Sequence, residues 1–335
     1  MRRNTRCGAD HGIDLEGFGL TTQHSDTVQA GPSGLMISVV IPHLNQPEAL
    51  ARCLASLFDG ALAPSEVFVV DNGSETLPQE VCDAYPQVSL LQERTPGPGP
   101  ARNCGVAAAS GDILAFIDAD CRADAGWLAA ILARFEDPVA QILGGDVRID
   151  VRDPARPTSL EAYESIYAYR MDRYIVEQGF TGTGNLAVRR AVLEDVGPFA
   201  GLEVAEDRDW GRRATAKGYK ITFAPEMRAF HPARISFAEL RLKWARHIAH
   251  DFADLPAGAG ARMRWLAKAG AMAVSPLVEL PRILASDRIT GTRTRGLAVL
   301  ALTRIRLYRS REMLGLCLRG NRSRNAESWN RPNVS

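Results

Sequence analysis

The sequence of 335 residues lacks a hydrophobic run long enough for a membrane-spanning helix, since no stretch reaches about 18 uninterrupted apolar residues. No apolar segment follows Arg2 and Arg3, so the start of the chain does not look like a secretory signal. Its six cysteines are scattered and include no Cys-x-x-Cys pair. This pattern predicts reduced thiols in a cytoplasmic protein.

Two glycine-rich phosphate-binding motifs are also absent. No Gly-x-Gly-x-x-Gly follows the first apolar run, which disfavours a dinucleotide-binding Rossmann site. The sequence has no Gly-x-x-x-x-Gly-Lys-Ser/Thr either, which disfavours a P-loop NTPase.

The charge of the chain is distributed unevenly. Its formal net charge is only +1, yet residues 261–335 hold 15 Lys and Arg against 4 Asp and Glu. The preceding 260 residues therefore carry a net charge of −10. A basic C-terminal region attached to an acidic body predicts that this region meets something anionic.

Strand-like and helix-like segments alternate from Met36 onward. The apolar runs predict strands at Ile37–Ile41, Val67–Val70, Val88–Leu91, Ile113–Ile117, 142–149 and Lys220–Phe223. The spacing of apolar residues predicts helices at Glu48–Asp59, Leu77–Ala84 and Ala101–Ala109, with a Pro- and Gly-rich loop at Thr95–Pro100. This order is typical of an α/β fold with parallel βαβ units.

Two aspartates one residue apart, Asp118 and Asp120, end the run Ile113–Ile117. Two carboxylates at the end of a buried strand are costly to hold together without a cation, and oxygen ligands suit Mg²⁺ or Mn²⁺. The alternative is an Asp-rich turn that caps the next helix. Because ligands of parallel sheets bind beyond the carboxyl ends of the strands, the polar ends Pro42–Asn45 and Asp71–Ser74 favour the metal site.

A second set of polar residues follows in the C-terminal half of this region. Thr181–Asn185 is a Gly-rich turn that permits either close approach to a ligand or a simple tight turn. The acids of 206–209 precede a predicted helix at Trp210–Lys217, where the backbone dipole alone would explain them. His231 stands before a proline, a position at which a structural role is common.

Taken together, six motifs in this order and spacing resemble the family 2 glycosyltransferases, which have a GT-A fold, over residues 36 to about 240. The motifs are Val39-Val40-Ile41-Pro42-x-x-Asn45, Val69-Val70-Asp71-Asn72-Gly73-Ser74, Ala101-Arg102-Asn103-x-Gly105, Phe116-Ile117-Asp118-Ala119-Asp120, Gly184-Asn185-x-Ala187-x-Arg189-Arg190 and Glu206-Asp207-x-Asp209 with Arg213. Two departures are His43-Leu44, in place of the usual Thr and aromatic, and Trp210, where Leu is common.

The resemblance implies a mostly parallel central sheet flanked by helices, with a helical C-terminal extension, and it implies residue roles. Asp207 would be the general base and Glu206 its neighbour. Asp118, Asp120 and His231 would bind Mg²⁺ or Mn²⁺. The nucleotide-sugar would be bound by Pro42, Asn45, Asp71, Asn72, Arg102, Asp118, Gly184 and Asn185.

The function that follows is an inverting transfer of a sugar from a nucleotide-diphosphate sugar to a hydroxyl acceptor. We expect a saccharide or lipid-linked acceptor in envelope or exopolysaccharide assembly. Two alternatives remain: a catalytically inactive carbohydrate-binding or scaffold subunit, and a nucleotidyltransferase on a similar sheet, although the latter's Gly-rich, Lys-containing loop is missing.

We predict four segments along the chain. They are a disordered extension at 1–35, or residues upstream of a true start at Met36, a catalytic domain at 36–245, a basic helical region at 246–320, and a disordered tail at 321–335. The basic helices either pack on the catalytic domain or lie on an anionic membrane. Sparse aromatic residues there argue against nucleic acid. We therefore expect a cytoplasmic protein. If the basic helices lie on an anionic membrane, the protein is docked peripherally on its inner face.

Overall fold

The computed structural model describes residues 5–6 and 34–319. In this part of the chain the strands are β1 (Thr5–Arg6), β2 (Ile37–His43), β3 (Glu66–Asp71), β4 (Val88–Gln92), β5 (Ile113–Ile117), β6 (Arg122–Ala123), β7 (Ile142–Asp150), β8 (Asn185–Arg189) and β9 (Ile221–Pro232). The helices are α1 (Pro47–Phe58), α2 (Gln79–Asp83), α3 (Pro98–Ala108), α4 (Trp127–Phe135), α5 (Ser159–Tyr167), α6 (Met171–Gln178), α7 (Arg190–Val196), α8 (Glu206–Ala216), α9 (Phe237–Ala253), α10 (Ala259–Ala285) and α11 (Thr292–Arg319).

The strands form one mixed sheet in the order β1-β4-β3-β2-β5-β8-β7-β9-β6. The pairs from β1 to β5 are parallel, as the alternation of strands and helices predicts. From β5 onward the ladder turns antiparallel, since β8 pairs in that sense with both β5 and β7. The predicted α/β class is confirmed, and the antiparallel half is added by segments distant in sequence.

Apolar side chains cover both faces of this sheet. On one face the core includes Leu50 and Leu54 of α1 and Trp127 and Ile131 of α4. On the other face, helices α3, α7 and α8 pack against the sheet through Ala101, Val192 and Trp210, among others. Covering both faces buries strands such as β5 completely, which explains their continuous apolar sequence.

Several predicted boundaries differ from the observed ones, and three of the differences bear on the candidate site. Helix α3 begins at Pro98, inside the predicted loop Thr95–Pro100, because proline is well suited to the first helical position. The acids Glu206, Asp207 and Asp209 lie within the first turn of α8 and do not precede it. Strand β9 extends to Pro232 and carries His231, where the sequence predicted a strand over Lys220–Phe223 alone.

The chain divides into two compact units. The first comprises the residues up to Val147 together with Tyr169–His231, and the second comprises Arg148–Ala168 together with the chain from Pro232 onward. The predicted boundary at residue 245 thus falls inside the second unit. Of the predicted disordered segments, 321–335 and most of 1–35 lie outside the described residues, while Thr5–Arg6 pairs with Leu91–Gln92.

The second unit is helical. Helices α5, α9, α10 and α11 share one apolar cluster, which includes Leu160, Leu240, Ile283 and Leu302. A second cluster joins Phe252 of α9, Trp265 of α10 and Met313 of α11. A capping box starts α5, in which the Thr158 hydroxyl accepts from the Glu161 N–H and the Glu161 carboxylate accepts from the Thr158 N–H. Among the described residues, no helix is both long and apolar enough to cross a membrane.

The cysteines follow the prediction only in part. Cys53, Cys82, Cys121 and Cys317 are free thiols. Cys104, on α3, is disulfide-bonded. The prediction of reduced cysteines is therefore wrong at this position.

Candidate active site

The predicted strand ends meet at one edge of the sheet. Register places His43 of β2 beside Asp71 of β3, and the N–H of Asn72 donates to the His43 carbonyl oxygen at 2.9 Å. Strand β5, which pairs with β2, ends at Ile117, one residue before Asp118. The parallel topology therefore collects the polar ends of three strands, as the sequence predicts.

A buried histidine–aspartate pair occupies the ends of β2 and β3. Nδ1 of His43 lies 3.0 Å from Oδ1 of Asp71, and Nε2 of His43 accepts from the Gln46 N–H at 3.2 Å. Because Nε2 accepts, the imidazole proton belongs on Nδ1, which donates to the carboxylate. The other oxygen of Asp71 accepts from the N–H groups of Gly73 and Ser74 at 3.2 and 3.0 Å. Asp71 is only 2% exposed, so these contacts account for most of its surface.

The two asparagines of this region differ in exposure and task. Asn45 is exposed with φ 52°, and its Oδ1 accepts from the Glu75 N–H at 2.9 Å. Asn72 donates to the carbonyl oxygens of Glu93 and Thr95 and accepts from the Gly97 N–H. Asn72 therefore fixes the loop that leads into α3. Pro42, the first residue of this group, is half-buried.

Arg102 of α3 links two carboxylates that are far apart in sequence. Its Nη2 donates to Oδ1 of Asp118 at 2.7 Å, and its Nη1 donates to Oε1 of Glu206 at 2.8 Å. The arginine side chain is 3% exposed, whereas the Asp118 and Glu206 side chains are 36% and 19% exposed. Among the described residues, the buried Nε of Arg102 has no hydrogen-bond partner. The arginine therefore holds the end of β5 and the start of α8 together.

Glycines of the turn 181–185 allow close approach to these acids. A Cβ atom on Gly184 would stand 2.4 Å from Oδ2 of Asp118, which no side chain can tolerate without movement. A Cβ on Gly182 would lie 2.7 Å from Cε of Met171 and 4.0 Å from Oδ2 of Asp207. The turn thus packs directly against Asp118 and Asp207. This favours the interpretation that its glycines permit a close approach over that of a simple tight turn.

Asn185 does not face this cluster. It is fully buried, where its Oδ1 accepts from Nε1 of Trp127 at 2.8 Å. Its Nδ2 donates to the carbonyl oxygens of Asp146 and Met227 at 3.1 and 2.9 Å. All of its side-chain polar atoms therefore serve the interior of the sheet, and the contact with nucleotide-sugar that the resemblance implied is not available in this arrangement.

A group of potential metal ligands lies beside the acidic cluster. Asp120, Cys121 and His231 each offer a ligand atom, and these atoms lie within 4.8 Å of one another. Oδ2 of Asp120 is 3.4 Å from Nε2 of His231. Burial raises the pKa of the Asp120 carboxyl, an effect that His231 opposes and Asp118 reinforces. Of the predicted metal ligands, Asp118 is absent from this group, and its Oδ1 accepts from Arg102.

Tyr169 packs on His231. Its hydroxyl lies 3.0 Å from Nε2 and 3.2 Å from Nδ1, and the two ring centroids are 4.5 Å apart. Tyr169 has φ 49°, an uncommon conformation for a residue with a large side chain. Within α5 the rings of Tyr163 and Tyr167 are stacked on each other, whereas Tyr169 lies beyond that helix.

Asp207 lies next to Glu206 in the first turn of α8. Its Oδ1 accepts from the Arg208 N–H at 2.7 Å. Burial raises the pKa of the Asp207 carboxyl and the charge of Glu206 raises it further, while Arg102 acts in the opposite direction. The carboxylate is thereby made more basic than an exposed aspartate.

Three residues of the site were not predicted from the sequence. His43 was noted only as a departure from the motif, and Cys121 only as one of six scattered cysteines. Tyr169 belongs to none of the six motifs. The signal available for Cys121 is its position directly after Asp120, while His43 and Tyr169 gain their partners through pairing of distant segments.

Comparison with known proteins agrees with this geometry. A family model described as glycosyl transferase family 2 matches residues 38–197. The glycosyltransferase AglE of Haloferax volcanii is 36% identical over 218 residues, which cover 63% of this chain and 71% of that protein. The pre-mycofactocin glycosyltransferase of Mycobacterium tuberculosis is 27% identical over 217 residues, 61% of this chain and 44% of that protein.

A solved structure shares the fold. It is the mannosyltransferase PcManGT from Pyrobaculum calidifontis in complex with GDP-Man and Mn²⁺, with a TM-score of 0.53 and 18% identity over 88% of this chain and 91% of that one. The predicted GT-A fold is thereby confirmed. Sequence identity, coverage and fold agree, and the chain belongs to the family 2 glycosyltransferases.

Proposed function

We propose that this glycosyltransferase moves a sugar from a nucleotide-diphosphate sugar to a hydroxyl acceptor with inversion at the anomeric carbon. The observation that carries the proposal is the bridge from Arg102 to Asp118 and Glu206. It brings the acid at the end of β5 next to the turn of α8 that holds Asp207. In this arrangement Asp118 would serve the donor and Asp207 would serve the acceptor.

On the donor side, the exposed edge of the strand ends would receive the nucleoside. Pro42 and Asn45 would line the base, and Asp118 would face the ribose with its oxygen that is not bound to Arg102. Asp71 is enclosed by His43, Gly73 and Ser74, so we assign it the role of positioning the residues that surround the base. The contacts of Arg102 and Asn72 are also internal, and we assign both the same positioning role.

The chemistry of the residues at Asp120 fits a divalent cation. A carboxylate and a neutral imidazole suit Mn²⁺ and Mg²⁺, and Asp120 and His231 would hold the ion together with the donor's phosphate oxygens. Burial raises the pKa of the Cys121 thiol well above its usual range, so the thiol stays protonated and is a weak third ligand. When bound, the cation neutralises the charge that develops on the departing nucleoside diphosphate. PcManGT was crystallised with Mn²⁺, which agrees with this choice of ion.

On the acceptor side, Asp207 would take the proton of the attacking hydroxyl. The new bond forms between the acceptor oxygen and the anomeric carbon while the bond from that carbon to the diphosphate oxygen breaks on the opposite face. The raised pKa of Asp207 makes the carboxylate a better base, and general base catalysis contributes roughly 10²–10⁴-fold. A single displacement gives a product with inverted configuration.

The acceptor and location are proposed from the sequence and the second unit. We propose a lipid-linked or polysaccharide acceptor in envelope or exopolysaccharide assembly, and a cytoplasmic enzyme that works at the inner membrane face. The basic helices α10 and α11 support this assignment, since residues 259–319 hold 12 Lys and Arg against 3 Asp and Glu.

The base assignment is tested with Asp207→Asn and a matched control, Asp209→Asn. Asp209 lies on the same turn of α8 but pairs with Arg213 at 2.9 Å. We expect Asp207→Asn to bind donor normally and to lose transfer by at least ~10²-fold, while Asp209→Asn keeps most of its turnover. Equal turnover of Asp207→Asn and wild type would remove Asp207 from the role of base.

The proposed cation and the proposed inversion are tested by separate measurements. Calorimetry of a nucleoside diphosphate should show binding in Mn²⁺ that EDTA and Asp120→Ala both abolish. Equal affinity in EDTA and Mn²⁺ would contradict a cation at this position.

NMR of the product should show the anomer opposite to that of the donor, and a retained anomer would refute the single displacement. Absence of any donor turnover with several nucleotide sugars would favour an inactive scaffold.

A further inference from the structure

Helix α10 has an inner apolar face that packs within the second unit. Trp265, Ala269, Met272 and Ile283 are buried on this side. Glu279, in the C-terminal half of the helix, turns toward α5, where it accepts from the Tyr167 hydroxyl at 3.0 Å. An ordinary surface helix would place charged residues on the opposite, outer face.

The outer face of α10 is also apolar. From Gly270 to Ala285 every exposed residue of the helix is apolar, and Leu277 and Val278 are 71% and 78% exposed. These residues are Gly270, Ala271, Val274, Leu277, Val278, Pro281, Leu284 and Ala285. We call them the α10 outer face. At 1.5 Å per residue the face is ~22 Å long. An exposed apolar surface of this length is typical of a site that contacts another protein or a membrane.

Cationic residues accompany the α10 outer face. Arg262 and Arg264 are exposed near the start of α10, and Arg293 and Arg311 are exposed on α11. None of these four has an ion-pair partner within the part of the chain that the structure describes. Helix α11 also exposes an apolar row seven residues apart, formed by Leu300, Leu307 and Leu314.

We propose that the α10 outer face inserts into the interfacial layer of an anionic lipid bilayer, with the arginines of α10 and α11 at the phosphates of the headgroups. Apolar side chains would supply burial, and each basic residue near the surface would add attraction that salt weakens. A second copy of the chain is a poorer occupant, because a two-fold contact through this face would bring like-charged arginines toward one another. The inference rests on the membrane location given under the proposed function, which it makes specific to the α10 outer face, and it is independent of the catalytic assignments.

The test is flotation of the full chain with vesicles of equal parts phosphatidylglycerol and phosphatidylcholine, and with phosphatidylcholine alone. Val278→Asp and Leu277→Asp place a charge in the α10 outer face. Val176→Asp is the matched control, since Val176 lies on helix α6 and is 84% exposed. We expect the wild type and Val176→Asp to float with the anionic vesicles. Each substitution in the α10 outer face should lower the partition coefficient at least ~10-fold.

The charge contribution is tested with Arg262→Gln combined with Arg264→Gln, against Arg52→Gln on α1. We expect the double variant to lose most of the preference for anionic over neutral vesicles, and the control to keep it. Because all these positions are exposed, thermal unfolding midpoints should stay close to wild type, so loss of binding is not loss of folding. Donor hydrolysis in solution should be unchanged by every variant.

Three outcomes would overturn the proposal. In the first, the wild type stays at the bottom of the gradient with anionic vesicles at low salt. In the second, Val278→Asp floats as well as Val176→Asp. In the third, sedimentation shows a dimer that Val278→Asp dissociates while vesicles bind no protein, and a second copy then covers the α10 outer face.

Discussion

Replacing Arg102 with methionine should destabilise the protein much more than removal of an ordinary surface arginine. Arg102 makes two charge-assisted hydrogen bonds, at 2.7 and 2.8 Å, from a side chain that is only 3% exposed. Such bonds contribute roughly 1.5–3 kcal/mol each. Because Asp118 and Glu206 are partly exposed, we take the lower value for both, which gives about 3 kcal/mol.

The assay is thermal unfolding of the full chain at pH 7 and pH 5. A loss of about 3 kcal/mol corresponds to a fall in midpoint of roughly 6–12 °C for a domain of this size. The control is Arg134→Met, because Arg134 pairs with Glu226 while both side chains are 41% exposed. An exposed pair of this kind contributes about 0–1 kcal/mol, so the control should shift the midpoint little.

The change of this stability loss with pH provides a second, independent test. Without Arg102, the native state holds Asp118, Glu206 and Asp207 together with no cation between them. Arg102 lowers the pKa of Asp207 against the larger raising effects of burial and Glu206, so its removal raises that pKa further. A carboxyl whose folded-state pKa exceeds its unfolded value favours folding at low pH and costs stability as pH rises. The deficit of Arg102→Met should therefore shrink from pH 7 to pH 5.

Two results would refute this reasoning. A fall in midpoint no larger than that of Arg134→Met would show that the bridge contributes little. An equal deficit at both pH values would mean that lost packing, and not unpaired carboxylates, causes it. Adding Glu206→Gln to Arg102→Met removes one of the unpaired charges and should recover part of the stability.

Further substitutions probe neighbouring contacts. Gly184→Ala should weaken binding of a nucleoside diphosphate at least ~10-fold in calorimetry, because the new methyl group displaces the Asp118 carboxylate. The control is Gly126→Ala, whose methyl group would have no atom within 4 Å, and it should bind like wild type. Asn185→Ala should cost about 3 kcal/mol in urea unfolding, since it leaves the Trp127 N–H and two carbonyl groups unpaired; an unchanged unfolding midpoint would contradict that. Thr158→Ala should cost about 1 kcal/mol through loss of the capping box of α5, and no change would mean that the cap is dispensable.

The sequence was a good guide wherever contacts are local. Strand β5 was predicted with its observed bounds, and the two aspartates after it stand at the predicted strand end. Parallel pairing of β2 with β3 and β5 followed from the alternation of strands and helices. In these segments periodicity, turn residues and topology all favour the same structure.

Contacts between distant segments could not be predicted in the same way. Asn185 has the sequence context of a ligand-binding turn, yet its partners come from α4, β7 and β9. Helix α5 carries an ordinary amphipathic pattern, which gives no sign that it joins the C-terminal helices in one core. Each of these outcomes depends on which surfaces meet, and periodicity within one segment does not contain that information.

The bridge at Arg102 shows how such distant contacts shape the chemistry. The arginine is 16 residues from Asp118 and 104 from Glu206, so no local pattern relates the three. By binding both carboxylates, one guanidinium holds Asp118, after β5, close to Glu206 at the start of α8. It also lowers the pKa of Asp207, so the group that holds Asp118 and Glu206 together also adjusts the strength of the proposed base. A change at either end of the bridge should therefore alter donor binding and base strength together.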